Sequence, residues 1–163
     1  MHLRSLLPAL LGTLFTAAYA PHASAFSSRW LYVDEYNYFT DDAQFDAWYT
    51  MTAQLEQDFD EICGDTFCEG DYSNIMPLRL SCSVEHRSGR IGHCIWTFAA
   101  SNETVDPHDG RIDVETHAWH CELPLAPLTT IETLQAALAD GSPLYATLPG
   151  TEVSIYDGLT DCL

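Results

Sequence analysis

From Asp42 to Ile62 the large apolar residues fall at Phe45, Trp48, Tyr49, Leu55, Phe59 and Ile62. Spacings of three, four and seven put them on one stripe of an α-helix, with Asp46, Gln54, Gln57, Asp58 and Glu61 mostly off it. Thr40-Asp41-Asp42 supplies N-cap candidates and places negative charge in the first turn, where unpaired N–H groups favour it. A period of two takes over further along. Leu78 to His86, Ile91 to Ser101 and Arg111 to Leu123 each alternate, and the pattern predicts three strands joined by turns at Arg87-Ser88-Gly89-Arg90 and Asn102 to Gly110.

The alternation also sets a register. A first hairpin centred on Ser88 opposes Cys82 to Cys94. A second centred between Pro107 and His108 opposes Cys94 to Cys121. One face then carries Leu78, Leu80, Cys82, Val84, Cys94, Trp96, Phe98, Trp119, Cys121 and Leu123, with Glu115 and His117 nearer its end. The other carries Arg79, Ser81, Ser83, Glu85, His93, Thr97, Thr116, His120 and Glu122, with Ile91, Ile95, Ile112 and Val114 among them. Three strands agree on which face is dry, and a one-residue slip would reverse every side chain. A β-bulge would still shift the pairing.

The flanks complete the order. Ser28 to Phe39 is rich in aromatic residues and alternates briefly, as an edge strand or extended arm does. Cys63 to Asn74 reads as a turn-rich loop. Thr129-Thr130-Ile131-Glu132 fits a capping box ahead of the apolar stripe Ile131, Leu134, Ala137 and Leu138, and Asp140-Gly141-Ser142-Pro143 stops that helix. A strand is expected at Glu152 to Tyr156. The result is one α+β domain: a long N-terminal helix on an antiparallel meander of three to four strands, a short C-terminal helix and strand, and disulfide bracing. Its order resembles cystatin-like and NTF2-like folds, which host many functions.

The first residues read as an export leader. His2 and Arg4 precede an apolar run from Leu6 to Tyr19, and Ala23-Ser24-Ala25 is a small-x-small cleavage site, so residues 1–25 are expected to be removed before Phe26. The run is short for a membrane span, which needs about 20 residues. The remaining 138 residues, 26–163, are a usual size for one domain and long enough to bury a core. They hold no lysine, and five arginines face 24 carboxylates, a formal charge of −19. Such a surface repels nucleic acid and anionic lipid and attracts cations or a basic exported protein. Acidity also keeps an exported protein soluble.

Six cysteines behind a leader read as a disulfide framework in a secreted or periplasmic protein. Opposed residues in a non-hydrogen-bonded antiparallel pair lie about 4.5 Å apart at Cα, within reach of a disulfide. Cys94 therefore bonds Cys82 or Cys121, but not both. The set Cys63–Cys68, Cys82–Cys94 and Cys121–Cys162 is preferred; the alternative joins Cys94 to Cys121 and sends Cys82 back to Cys63 or Cys68.

Two groups of side chains carry metal-type donors. Asp65, Glu69, Asp71 and Asn74 offer oxygens for calcium in a turn, with Asp58, Asp60 and Glu61 upstream, although the same residue types serve as turn formers and no EF-hand is present. The run Phe59 to Val84, containing Cys-Gly-Asp-Thr-Phe-Cys-Glu-Gly-Asp-Tyr-Ser-Asn and a later Cys-Ser-Val, resembles small exported proteins of proteobacteria. The resemblance implies bacterial export and no particular activity. Of seven histidines, His93 and His120 share the outer face with Glu122 as a zinc-type set, while His117 points to the other side.

The sequence holds no GxSxG elbow, SxxK pair, papain-like cysteine motif, phosphate loop or basic patch. The reading it supports is a non-enzymatic exported binding or interaction module. The alternatives are a small secreted hydrolase with acidic or metal-assisted chemistry and a calcium-stabilised structural protein.

Overall fold

A computed structural model describes residues 31–139 and 141–163; the expected leader, its cleavage point and Trp30 lie outside them. The chain order is β1 (Tyr32–Asp34), α1 (Glu35–Tyr38), α2 (Asp42–Thr66), β2 (Met76–Glu85), β3 (Ile91–Val105), β4 (Ile112–Glu122), α3 (Ile131–Ala137) and α4 (Ile155–Thr160). The four strands form one antiparallel sheet in the order β1-β2-β3-β4. The protein is α+β.

The long helix starts where its sequence places it, with the Asp41 carboxylate accepting from Gln44 N at 3.0 Å. It runs further than expected, through Cys63 to Thr66, because the Cys63–Cys68 disulfide and the bonds from Phe67 N and Cys68 N to Cys63 O close the chain at its C-terminus rather than before it. Its apolar stripe buries Trp48, Met51, Leu55 and Phe59. Phe59 meets Trp96 and Phe98 on the sheet, with ring centroids 5.9 and 4.8 Å away, and this aromatic junction joins the two layers. From the C-terminal segment Leu144, Leu148, Ile155 and Leu159 are also buried.

The inner face of the sheet is the expected one at Leu80, Cys82, Val84, Cys94, Trp96, Phe98, Cys121 and Leu123. Cys82 opposes Cys94 as derived, but Cys121 opposes Trp96, two residues from the expected partner. The second turn is responsible: Asp106 N bonds Arg111 O and Gly110 N bonds Asp106 O, so the loop closes one residue further along, with Gly110 at φ 75°. A slip of two preserves the face of every side chain, and the face assignment survives. The disulfides are Cys63–Cys68, Cys82–Cys94 and Cys121–Cys162, the preferred set.

Three local expectations are corrected. Leu78 is 56% exposed instead of inward, because β2 is irregular between Pro77 and Arg79 and Leu78 has no partner on β3. The expected strand at Glu152 to Tyr156 is the start of α4: Ser154 and Asp157 form a reciprocal capping box that outcompetes extension. At α3 the N-cap is Thr130 rather than Thr129, and Glu132 is engaged elsewhere, accepting from the Tyr38 hydroxyl at 2.7 Å.

Candidate functional site

A concavity of about 510 Å³ lies between α2 and the edge of β2 that faces away from β3. It exists because β1 is short. β1 pairs with β2 only from Ser83 to Glu85, and the chain then turns into α1, leaving the side of β2 away from β3 without a strand neighbour from Met76 to Cys82. Glu35, fully buried, takes the missing strand's place. Its carboxylate accepts from Cys82 N at 2.9 Å, Ser81 Oγ at 3.3 Å and Arg79 Nη2 at 3.3 Å.

Tyr36, Tyr49, Leu78 and Arg79 wall this groove, with Glu56 and Thr52 from α2. The Arg79 guanidinium is held over the Tyr36 ring, 5.1 Å from its centroid, while paired to Glu35. Burial, with the neighbouring Tyr49 hydroxyl and the Glu35 charge, pushes the Tyr36 hydroxyl above its usual pKa. Thr52 Oγ1 donates to its own helix at Tyr49 O, 3.2 Å away. Arg79 and Thr52 are thus engaged within the fold, and the groove presents Tyr36, Tyr49 and Leu78 beside the paired Arg79 and the exposed Glu56 carboxylate.

The two sequence-derived metal sets are not assembled. Among the described residues no three His, Cys, Asp or Glu side chains are grouped to hold an ion. Asp65 lies in the last turn of α2, Glu69 and Asp71 follow in the loop, and all three are exposed. Asn74 is turned away onto β3, donating to Ser101 Oγ and accepting from Ser101 N, both at 3.0 Å. On the outer face His93 Nδ1 and Glu122 Oε1 are 2.6 Å apart, but His120 turns to Thr97 Oγ1 at 3.5 Å. Ser83 lies opposite His93, so serine, histidine and carboxylate follow one another across three strands. The Ser83 hydroxyl nevertheless bonds the backbone of His93, at N 3.0 Å and O 3.5 Å, rather than its ring. A serine so placed is not activated by the imidazole.

The remaining prominent surface is the far half of the β3–β4 hairpin. Beyond Ser101 and Thr116 both strands are exposed on both faces. Glu103, Asp109, Asp113 and Glu115 stand along this ribbon against one cation, Arg111, which is already paired with Asp113 at 3.2 Å. Tyr72, from the disulfide-closed loop, packs edge-on against Trp119 at its base, 5.5 Å between centroids. Its hydroxyl pKa is raised by desolvation first, then by the charges of Glu115 and Asp71.

Sequence reasoning missed the roles of Glu35, which it placed in an edge strand or extended arm, and of Asp58, which it placed off the apolar stripe and upstream of the calcium-type set. Asp58 is buried and accepts from Gln54 Nε2 at 2.8 Å and from Leu144 N at 3.3 Å, fastening the C-terminal segment to α2. The signal for Asp58 was present: it lies one residue before Phe59 and three after Leu55, at the border of the apolar stripe. Glu35 left no such signal. No family model matches the chain, and neither does any curated protein or solved structure.

Proposed function

We propose that the chain is an exported, disulfide-braced binding module that engages a basic partner protein and carries out no chemistry on it. The observation that supports this most is the acidic β3–β4 ribbon, which projects past the core with its carboxylates in solvent. A structural hairpin gains nothing from residues beyond the packed face, since a two-stranded ribbon is marginal on its own. The overall charge of −18 acts in the same direction: long-range attraction accelerates encounter with cationic proteins and discourages anionic ones. The three disulfides agree with an oxidising compartment outside the cytoplasm.

The test is retention on the immobilised protein. Exported proteins passed over it at low salt should leave a retained set of basic proteins that elutes between about 0.1 and 0.5 M salt, as screening shortens the reach of the charges. The combined variant Asp113→Asn, Glu115→Gln should retain less. A retained set with no charge bias, or one that salt does not release, argues against the proposal.

A further inference from the structure

The two ladders fix which backbone groups of β4 face outward. Cys82 N donates to Glu35, away from β3, so Cys82 and Cys94 are a non-hydrogen-bonded pair. The N–H and C=O of Cys94 therefore point toward β4, and Cys94 O accordingly accepts from Leu123 N at 2.9 Å. The β3–β4 register then runs without a shift to Val105 and Ile112, and the bond from Asp106 N to Arg111 O, at the far end, has the same phase. Odd-numbered residues of β4 bond β3. The N–H and C=O groups of Val114, Thr116, Ala118 and His120 point to the free side.

Nothing among the described residues occupies that side. No strand pairs with it, and no backbone bond reaches Ile112 to His120 from any other segment. The C-terminal helix approaches only the inner end, where Gly158 lies against Pro124 and Glu122. β4 has no proline, lysine or bulge, three of the devices that keep an edge from pairing; its inward charges, Asp113 and Glu115, oppose an acidic or apolar strand and suit a basic one. What it has is charge on one face and apolar surface on the other. Asp113 and Glu115 flank the free edge on the inner side, while Ile112 and Val114, each 60% exposed, flank it on the outer side with Thr116 and Ala118.

We infer that the free edge of β4, from Ile112 to His120, is where the basic partner docks, by adding an extended segment that alternates lysine or arginine with valine or isoleucine. The inference rests on the binding reading above and names its mode. A strand laid on this edge gains main-chain bonds to Val114, Thr116, Ala118 and His120, and its side chains alternate between the two faces. Those on the inner face meet Glu115 and the Arg111-paired Asp113, which cationic side chains complement; those on the outer face meet Ile112 and Val114, which apolar ones complement. A second copy is the competing occupant. It would bring another chain of charge −18 to the same edge, and its own β4 offers neither lysine nor arginine to the carboxylates.

The probe is a blocked nonapeptide of alternating Lys and Val, set against a Glu-Val peptide and a Lys-Val peptide of equal composition with its lysines in one block. Amide hydrogen exchange read residue by residue should slow about tenfold at Val114, Thr116, Ala118 and His120 with the first peptide alone. Thr116→Pro should abolish that binding with the near-ultraviolet circular dichroism unchanged. Asp113→Asn with Glu115→Gln, which leaves the backbone intact, should weaken it about tenfold at low salt. Equal binding of the blocked or acidic peptide, protection elsewhere, or indifference to both variants overturns the inference. Protection of the same four amides by protein concentration alone identifies a second copy and also overturns it. If basic proteins are still retained and released by salt after such a result, the strand site falls while the binding module stands; if neither occurs, both fall.

Discussion

The two edges of this sheet are handled in opposite ways. On the β2 side the stretch beyond β1 is capped at one point and interrupted at another. Glu35 accepts the outward N–H of Cys82, and Arg79 is drawn onto that carboxylate and over Tyr36. Pro77 opposes Phe98, whose own N–H and C=O face β4 by the phase derived above, so the proline's missing donor falls on the free side of β2. An irregularity beside it breaks the regular edge further. On the β4 side the same sheet leaves a regular run from Ile112 to His120 with no backbone device at all. One edge is capped by polar chemistry inside the fold, and the other is left to surface charge. The strand-addition site proposed above lies on the edge that has no such closure.

The largest expected effect concerns how each edge is anchored. Cys121–Cys162 ties the inner end of β4 to the C-terminus across a separation of 41 residues, and chain entropy assigns such a closure about 4 kcal/mol. Replacing both cysteines with serine should lower stability by that order in urea denaturation, and should raise exchange first in β4 rather than in β2. Equal loosening of both edges would remove the asymmetry. Next in size is Glu35→Ala, which orphans the Cys82 N–H and leaves Arg79 without its buried partner, at a cost of about 2–3 kcal/mol. The matching removal of charge on the open edge, Asp113→Asn, should change stability by less than about 0.5 kcal/mol, because that carboxylate is exposed. If the two variants cost the same, Glu35 is not the cap.

A finer test addresses the phase of β4. Glu115→Pro removes a donor that bonds β3, whereas Thr116→Pro removes one that faces solvent. Both fix φ near the same value, so their difference isolates the ladder bond, and Glu115→Pro should be less stable by about 1 kcal/mol or more. Equal denaturation midpoints would show that the outward residues are wrongly assigned, and the strand-addition site would fail with them.

Much of the frame was legible because it depends on periodicity. The stripe from Phe45 to Ile62 and the alternation around Cys82, Cys94 and Trp96 are one-dimensional patterns, and they put Cys82, Cys94 and Cys121 on one face while leaving open whether Cys94 joins Cys82 or Cys121. The errors occurred where a local hydrogen bond decides the outcome. Ser154 and Asp157 turn an alternating stretch into the start of a helix, and one unpaired residue at Leu78 reverses an inward side chain. The open edge and its capped counterpart were not legible at all. They depend on where β1 stops, on Glu35 meeting Arg79, Ser81 and Cys82 more than forty residues away, and on the position of β4 at the end of the strand order. No pattern within a single segment encodes these.

A last test asks whether the cap on the β2 edge depends on α1 being held in place. α1 carries Glu35 into the sheet, and its other end is fixed by Tyr38, whose hydroxyl donates to Glu132 at 2.7 Å above Gly89. A Cβ on that glycine would stand 2.6 Å from the tyrosine oxygen, so the turn between β2 and β3 must stay bare for the bond to form. The bond to the Glu132 carboxylate, followed by burial, pushes the Tyr38 pKa up to about 12. A raised value means that the folded chain holds this proton more tightly than the unfolded one. The contribution is therefore complete below about pH 10 and is lost as pH rises toward 12. Tyr38→Phe should lower stability by about 1 kcal/mol at pH 8, and the gap between variant and parent should narrow above pH 10. A gap that stays constant to pH 12 would mean that the ring packing of Tyr38, and not its hydroxyl, holds α1. The capping of the β2 edge would then rest on Glu35 alone.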